Sequence, residues 1–219
     1  MNGETTRKCA TAALLFGGTL GATNAAEAAL VVWNCNIAVT SYVNGSYSFG
    51  CFVNVETQQF YTDTDGGPVG TPVTNWDLRF DPNSGSRMAL GSFDPAAGFV
   101  TNTTGSGSAK LASGVVVGSS LASPFGFSQT GSLLINAGNA NRWNAGDTGH
   151  FGFQFKAASG AIRYGWGEIA LLAGSLKQGT VTKLVYEDTG ASVTVGLIPA
   201  PGALALLGVA GVVGSRRRR

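Results

Sequence analysis

The sequence predicts an all-β fold: an antiparallel β-sandwich or jelly-roll ectodomain, flanked by an N-terminal signal peptide and a short C-terminal hydrophobic helix. Three observations predict it. Apolar residues alternate with period two through most of the interior, which is the spacing of a half-buried strand. Glycine is abundant, 33 of 219 residues, and Gly, Ser, Thr and Asn cluster between the alternating runs as turns require. No long segment shows amphipathic helical spacing. The chain is long enough to bury a core of its own.

Residues 1–28 read as an export signal. Arg7 and Lys8 precede an apolar run from Ala10 to Ala22, and Ala26-Glu27-Ala28 fits the small-x-small rule for signal peptidase. Cleavage is placed between Ala28 and Ala29, with Ala26 and Ala29 as neighbouring alternatives for the last residue removed. Cys9 leaves with that segment, so two cysteines remain, Cys35 and Cys51. In an exported protein, two cysteines on adjacent predicted strands are expected to form a disulfide, worth roughly 3 kcal/mol in the chain-entropy model.

The interior, 29–197, is read as one ectodomain. Leu30–Trp33 is a short strand. Ile37, Val39, Ser41 and Val43 alternate with Ala38, Thr40 and Tyr42, and Asn44-Gly45 marks a hairpin. On the returning strand Tyr47, Phe49, Cys51, Val53 and Val55 are placed on one face. Gln59–Thr62, Trp76–Phe80, Met88–Phe93 and Gly98–Thr101 are further strands. Asp63-Thr64-Asp65-Gly66 resembles the opening of a calcium loop, but the twelfth position holds Thr74 rather than Glu, so the segment is read as a turn.

The last third alternates most clearly. Phe151, Phe153 and Phe155 share a face. Ile162, Tyr164, Trp166 and Glu168 share another, opposite Arg163, Gly165, Gly167 and Ile169. Thr180–Tyr186 and Ser192–Val195 complete the set. About ten strands with turns between them fit two packed sheets, because faces of Phe and Val need a covering layer.

The tail, 198–219, is distinct. Pro199-Ala200-Pro201 ends the preceding strand. Gly202 to Gly214 is apolar and spans about 20 Å as a helix, against a hydrocarbon core of about 30 Å. Arg216, Arg217, Arg218 and Arg219 follow, a cationic stop on the cytoplasmic side. A marginal anchor of this kind suits a segment held briefly and then removed.

This order of Pro-x-Pro, short apolar helix and terminal arginines resembles the PEP-CTERM sorting signal of Gram-negative bacteria, with Ala200 where the signal's name has Glu. The resemblance implies handling by an exosortase-like membrane protease that cuts near the Pro-x-Pro. A second segment resembles a block common in PEP-CTERM proteins: His150-Phe151-Gly152-Phe153-Gln154-Phe155, then Arg163-Tyr164-Gly165-Trp166-Gly167-Glu168-Ile169, then Val185-Tyr186-Glu187-Asp188-Thr189-Gly190. That block implies no biochemical activity.

Charge excludes one class of partner. Residues 29–198 carry eight bases and ten acids, a net charge of about −2, and nucleic-acid binding needs a basic footprint. Catalytic sets are lacking. His150 is the single histidine, and no Gly-x-Ser-x-Gly elbow accompanies it. One His and two Cys make zinc improbable. Glu168, beside Trp166 and Tyr164, and the turn acids Glu187 and Asp188 are the carboxylates weighed for glycoside hydrolysis. Tyr164, Trp76, Trp143 and Trp166 are weighed as a sugar-stacking platform, with Trp143 and Trp166 chosen; core packing competes, most strongly for Trp166.

The expected function is therefore that of a noncatalytic exported protein of the cell surface or extracellular matrix, with no cofactor and no metal. The alternatives are a carbohydrate-binding module of the biofilm matrix and a secreted hydrolase. Expected partners are Sec-type export machinery, signal peptidase, an exosortase-like sorting protease, the inner membrane as transient host of the helix and, for the carbohydrate reading, a polysaccharide.

Overall fold

The structure, a computed structural model, describes residues 29–82, 86–102, 107–132 and 142–198. Ala28, the rest of the expected signal peptide, and the tail from Pro199 through Ala200 and Pro201 to Arg216, Arg217, Arg218 and Arg219 lie outside the described residues. Those described are all-β. In chain order the strands are β1 (Leu30–Trp33), β2 (Ile37–Val39), β3 (Tyr42–Val43), β4 (Ser46–Asn54), β5 (Gln59–Thr64), β6 (Leu78–Asp81), β7 (Ala89–Gly91) and β8 (Gly98–Asn102). Then come β9 (Val116–Val117), β10 (Phe125–Ser128), β11 (Thr130–Ser132), β12 (Thr148–Lys156), β13 (Ile162–Leu171), β14 (Gly179–Glu187) and β15 (Val193–Thr194).

The first sheet runs β1-β14-β13-β12-β8-β10, with β2 also pairing β14; the second runs β11-β7-β6-β4-β3, with β5 also on β4; β15 and β9 form a two-stranded third. Every pairing is antiparallel. The first two sheets share one core. Ile37, Phe99, Phe151, Phe153, Phe155 and Ile169 from the first meet Cys51, Val53, Leu78, Phe80 and Leu90 from the second. Phe80 stands edge-on to Phe151, with centroids 5.7 Å apart, and to Phe99 at 6.1 Å. Fully burying one such ring contributes about 1.5–3 kcal/mol, so this sandwich-like packing is the main source of stability.

Register explains the aromatic-glycine spelling of the last third. Phe151 lies opposite Gly167, Gly152 opposite Trp166 and Phe153 opposite Gly165. A Cβ on Gly165 would fall 2.6 Å from Phe153 Cε2 and 2.6 Å from Val185 O; one on Gly167 would fall 2.7 Å from Phe151 Cε1. The glycines are the seats into which the rings of the neighbouring strand lean.

The other face of the first sheet is covered too. Tyr164, Trp166, Val100 and Val185 pack with Leu111, Val117, Val193 and Val195, from the 108–121 segment and the small third sheet. Local covering of both faces was not legible as alternation, since β9 and β15 have only two residues each.

Three details depart from the sequence reading. The run Ile37–Val43 is two strands: β2 joins β14 in the first sheet and β3 joins β4 in the second, so the chain changes sheets between Val39 and Tyr42. The Asn44-Gly45 hairpin forms, with φ of 52° and 84° and Tyr42 opposite Tyr47. The face assigned to Tyr47, Phe49, Cys51 and Val53 is broken by a bulge between Ser48 and Gly50. Gly50 takes a φ of 127°, which a side chain would resist. Ser48, Cys51 and Val53 are consequently buried, whereas Tyr47 and Phe49 are exposed. Strands β10 and β11 are further elements beyond those read from sequence: β10 alternates as Phe125-Gly126-Phe127-Ser128, whereas β11, Thr130-Gly131-Ser132, has no apolar residue to announce it.

Candidate functional site

The site is assembled where the β4–β5 corner meets the segment preceding β6. Asp77 N donates to Val53 O at 2.8 Å, and Val55 N donates to Asp77 Oδ2 at 2.8 Å, which fixes the end of β4. Asn54 Nδ2 donates to Asn75 O at 3.1 Å and Asn54 Oδ1 accepts Thr57 N at 2.9 Å, so one amide clamps both sides of the corner. Burial raises the Asp77 carboxyl to about 7, opposed by the backbone donation from Val55 and assisted by the charge of Glu56.

Glu56 ties this corner to the first sheet. Its Oε2 accepts Ala158 N at 2.8 Å and its Oε1 pairs with Arg163 Nη1 at 3.1 Å. Opposite, Lys156 Nζ lies 3.4 Å from Asp94 Oδ2, and Asp94 Oδ1 accepts Ala96 N at 2.7 Å. That backbone donation holds the Asp94 carboxyl below its ordinary range. Between these groups lies a groove of about 460 Å³, lined by Asn54, Glu56, Thr57, Gln59, Pro72, Val73, Thr74, Asn75, Trp76, Asp77, Phe93, Asp94 and Lys156 with Ala157 and Ala158. Its size lies within the range of small-ligand sites.

Trp76 and Phe93 stand at the groove, with centroids 5.6 Å apart and planes at 60°. Phe93 is 63% exposed, although a ring of that size gains by burial. Trp76 is held from behind: its ring meets Phe52 edge-on at 5.1 Å. Phe52 in turn stacks on Tyr61 at 5.0 Å and 15°, and the Arg79 guanidinium lies 5.3 Å from its centroid. Tyr61, Phe52 and Arg79 are direct cross-strand neighbours on β5, β4 and β6. Aromatic pairs of this kind contribute about 0.5–1.5 kcal/mol each beyond area burial. Arg79 is fixed as well, by Asp81 at 3.0 Å and by donation to Phe49 O at 2.7 Å.

The residues chosen from sequence for sugar contact are elsewhere. Trp143 is 0% exposed and Trp166 2%; both indoles are core residues with no face open to a ligand. Trp166 is covered by the third layer and meets His150 edge-on at 5.1 Å. The expected disulfide is also corrected. Cys35 and Cys51 are both free thiols. Cys35 Sγ donates to Val181 O at 3.3 Å, and burial pushes the Cys51 thiol up to about 12.

The carboxylates weighed for hydrolysis serve the fold. Glu168 lies opposite His150, with Oε2 3.7 Å from His150 Nε2, and its Oε1 accepts Thr182 Oγ1 at 2.6 Å across the β13–β14 bulge. Glu187 is 3% exposed and accepts Thr189 N, Thr189 Oγ1 and Ala191 N, closing the turn before β15. Asp65 Oδ1 accepts Tyr47 N at 2.8 Å, which ties the turn after β5 to β4. Among the described residues, no group of three or more His, Cys, Asp and Glu side chains is placed to hold a metal ion.

Sequence reasoning named Trp76 among its aromatics but missed Phe52, Tyr61, Arg79 and Phe93. Gly50, a glycine inside a strand run, was the available sign of the bulge; the grouping of Trp76 with Phe93 had none, since a turn and two strands separate them. Set against models of known protein families, characterised proteins and solved structures, the chain matches none.

Proposed function

We propose that this chain is a noncatalytic exported protein of the cell surface or extracellular matrix: a β-sandwich carried between a signal peptide, 1–28, and a PEP-CTERM-like sorting tail, 198–219. The observation that carries it is the order of the tail, with Pro199-Ala200-Pro201, a short apolar run and Arg216 to Arg219 at its end. Sec-type machinery and signal peptidase act on the first segment, and an exosortase-like protease on the second, while the apolar run holds the chain in the inner membrane. Leu197 and Ile198 are exposed, which supports access of a protease to the bond that follows.

The start of the sandwich suits the same reading. Ala29 N donates to Asp188 Oδ1 at 3.1 Å. Cleavage after Ala28 turns that amide into an α-ammonium facing a carboxylate, a stronger, charge-assisted contact. The structural duties of Glu168 and Glu187 support binding or display over hydrolysis.

Mass spectrometry of both ends of the protein recovered from its natural source tests the proposal. An N-terminus at Ala29 and a C-terminus near Pro199 are expected; intact Met1 and Arg219 in soluble cytosolic protein would overturn it. A second reading, a carbohydrate-binding module, is favoured by the exposed Phe93 beside Trp76 at the groove.

A further inference from the structure

We propose that the groove between the β4–β5 corner, Trp76 and Phe93 binds an uncharged polysaccharide, with the two rings stacking on sugar faces and the groove's amides and ion pairs taking the hydroxyls. The inference deepens the carbohydrate reading above and is independent of how the two ends of the chain are processed.

The rings come first. A sugar ring offers a C–H face to an aromatic surface and hydroxyls at its rim, so its sites combine exposed rings with fixed polar groups. Phe93 and Trp76 meet at 60°, forming a corner rather than a flat hydrophobic patch. The corner is preorganised. Phe52 packs edge-on against Trp76, and Phe52 is itself clamped between Tyr61 and Arg79. Rings held in place before the ligand arrives lose little entropy on binding.

Charge decides which sugar. Each charged group at the groove has an opposite partner within the protein: Glu56 with Arg163 at 3.1 Å, and Asp94 with Lys156 at 3.4 Å. Asp77 is buried and receives Val55 N. An acidic glycan would therefore find no unmatched cation to offset the desolvation of its carboxylates, and a cationic ligand no unmatched exposed acid. A neutral hydroxyl meets both a donor and an acceptor in each ion pair, with the side chains of Thr57, Gln59 and Asn75 beside them.

The experiment is native affinity electrophoresis of the purified full chain in gels containing dextran, laminarin or hydroxyethyl cellulose, with polygalacturonate as the charged comparator. Retardation by at least one neutral polymer and none by polygalacturonate is expected. Phe93→Ala and Trp76→Ala should each weaken it by at least about fivefold, the scale of a central aromatic contact. Tyr42→Ala, an exposed ring on the β3–β4 hairpin, should leave it unchanged. Phe93 is mostly exposed, so its variant is expected to fold, and an unaltered melting temperature verifies that. Absence of retardation in all three neutral gels, retardation by polygalacturonate alone, or binding that survives Phe93→Ala would overturn the assignment. None of these outcomes bears on the termini found by mass spectrometry, so the two proposals fail separately.

Discussion

Gly165→Ala adds one methyl group at a crowded place in the first sheet, where a ring and a backbone carbonyl both close in. The new Cβ would lie 2.6 Å from Phe153 Cε2 and 2.6 Å from Val185 O. The ring can tilt, but the carbonyl is backbone of the adjoining strand β14 and cannot move without loosening the ladder. Overpacking of this kind costs about 1–3 kcal/mol. Against it stands the lower entropy of the unfolded alanine chain, which favours folding by about 0.4–1 kcal/mol. The net destabilisation is about 1–2 kcal/mol, or roughly 2–8 °C in melting temperature for a domain of this size. Gly91→Ala, also in a strand, is the control: its Cβ would meet nothing within 4 Å, so that variant should be neutral or slightly more stable. Both are read by thermal denaturation followed by circular dichroism. Phe153→Leu should relieve part of the Gly165→Ala penalty, giving a non-additive cycle. A Gly165→Ala protein melting at or above the Gly91→Ala protein would refute the ring-seat account.

Other consequences can be measured on the same protein. The Asp77 carboxyl is raised by burial to about 7, so the folded state holds its proton more tightly than the unfolded chain; the stability this gives is complete below about pH 4 and is lost as pH rises through about 7. Urea titrations should therefore show wild type losing stability relative to Asp77→Asn across that window, and a constant difference would contradict the assignment. Both cysteines should be recovered as thiols by peptide mapping under non-reducing conditions, with Cys51 alkylated only after unfolding; a Cys35–Cys51 bridged peptide would contradict the free-thiol geometry. Glu56→Ala removes the partner of Arg163 and the acceptor of Ala158 N together, and should cost about 1–3 kcal/mol in denaturant unfolding; an unchanged midpoint would show that the corner is not held there. In protein beginning at Ala29, Asp188→Asn should lower the melting temperature by about 2–4 °C, the scale of one surface ion pair of up to about 1 kcal/mol. A variant in which Met and Gly precede Ala29 should respond less, and equal responses would argue against an ammonium contact.

The polar groups of β12, β13 and β14 form a network across the strands. His150 and Glu168 sit opposite each other on neighbouring strands, and Thr182 reaches the same carboxylate from the bulge. Their mutual contacts hold three strands in register at the rim of the covered face. The groove combines the exposed Phe93 and the half-buried Trp76 with ion pairs that match its charges.

By itself the sequence determined what is local. Alternation at Phe151, Phe153 and Phe155 and at Tyr164, Trp166 and Glu168 specified strands and the faces they share, because the pleat repeats every two residues. Asn44-Gly45 specified its hairpin, because both residues tolerate positive φ. Tertiary structure alone decided which faces meet water. Trp166 is a candidate platform by sequence, but the 108–121 segment and the small third sheet close over its side, and Trp143 is buried in the core that the two large sheets share. Phe52, Trp76 and Phe93 come together through the pairing of β4 with β6 and of β6 with β7, since Trp76 precedes β6 and Phe93 follows β7. Burial depends on what packs from elsewhere in the chain, and neither alternation nor residue type carries that information.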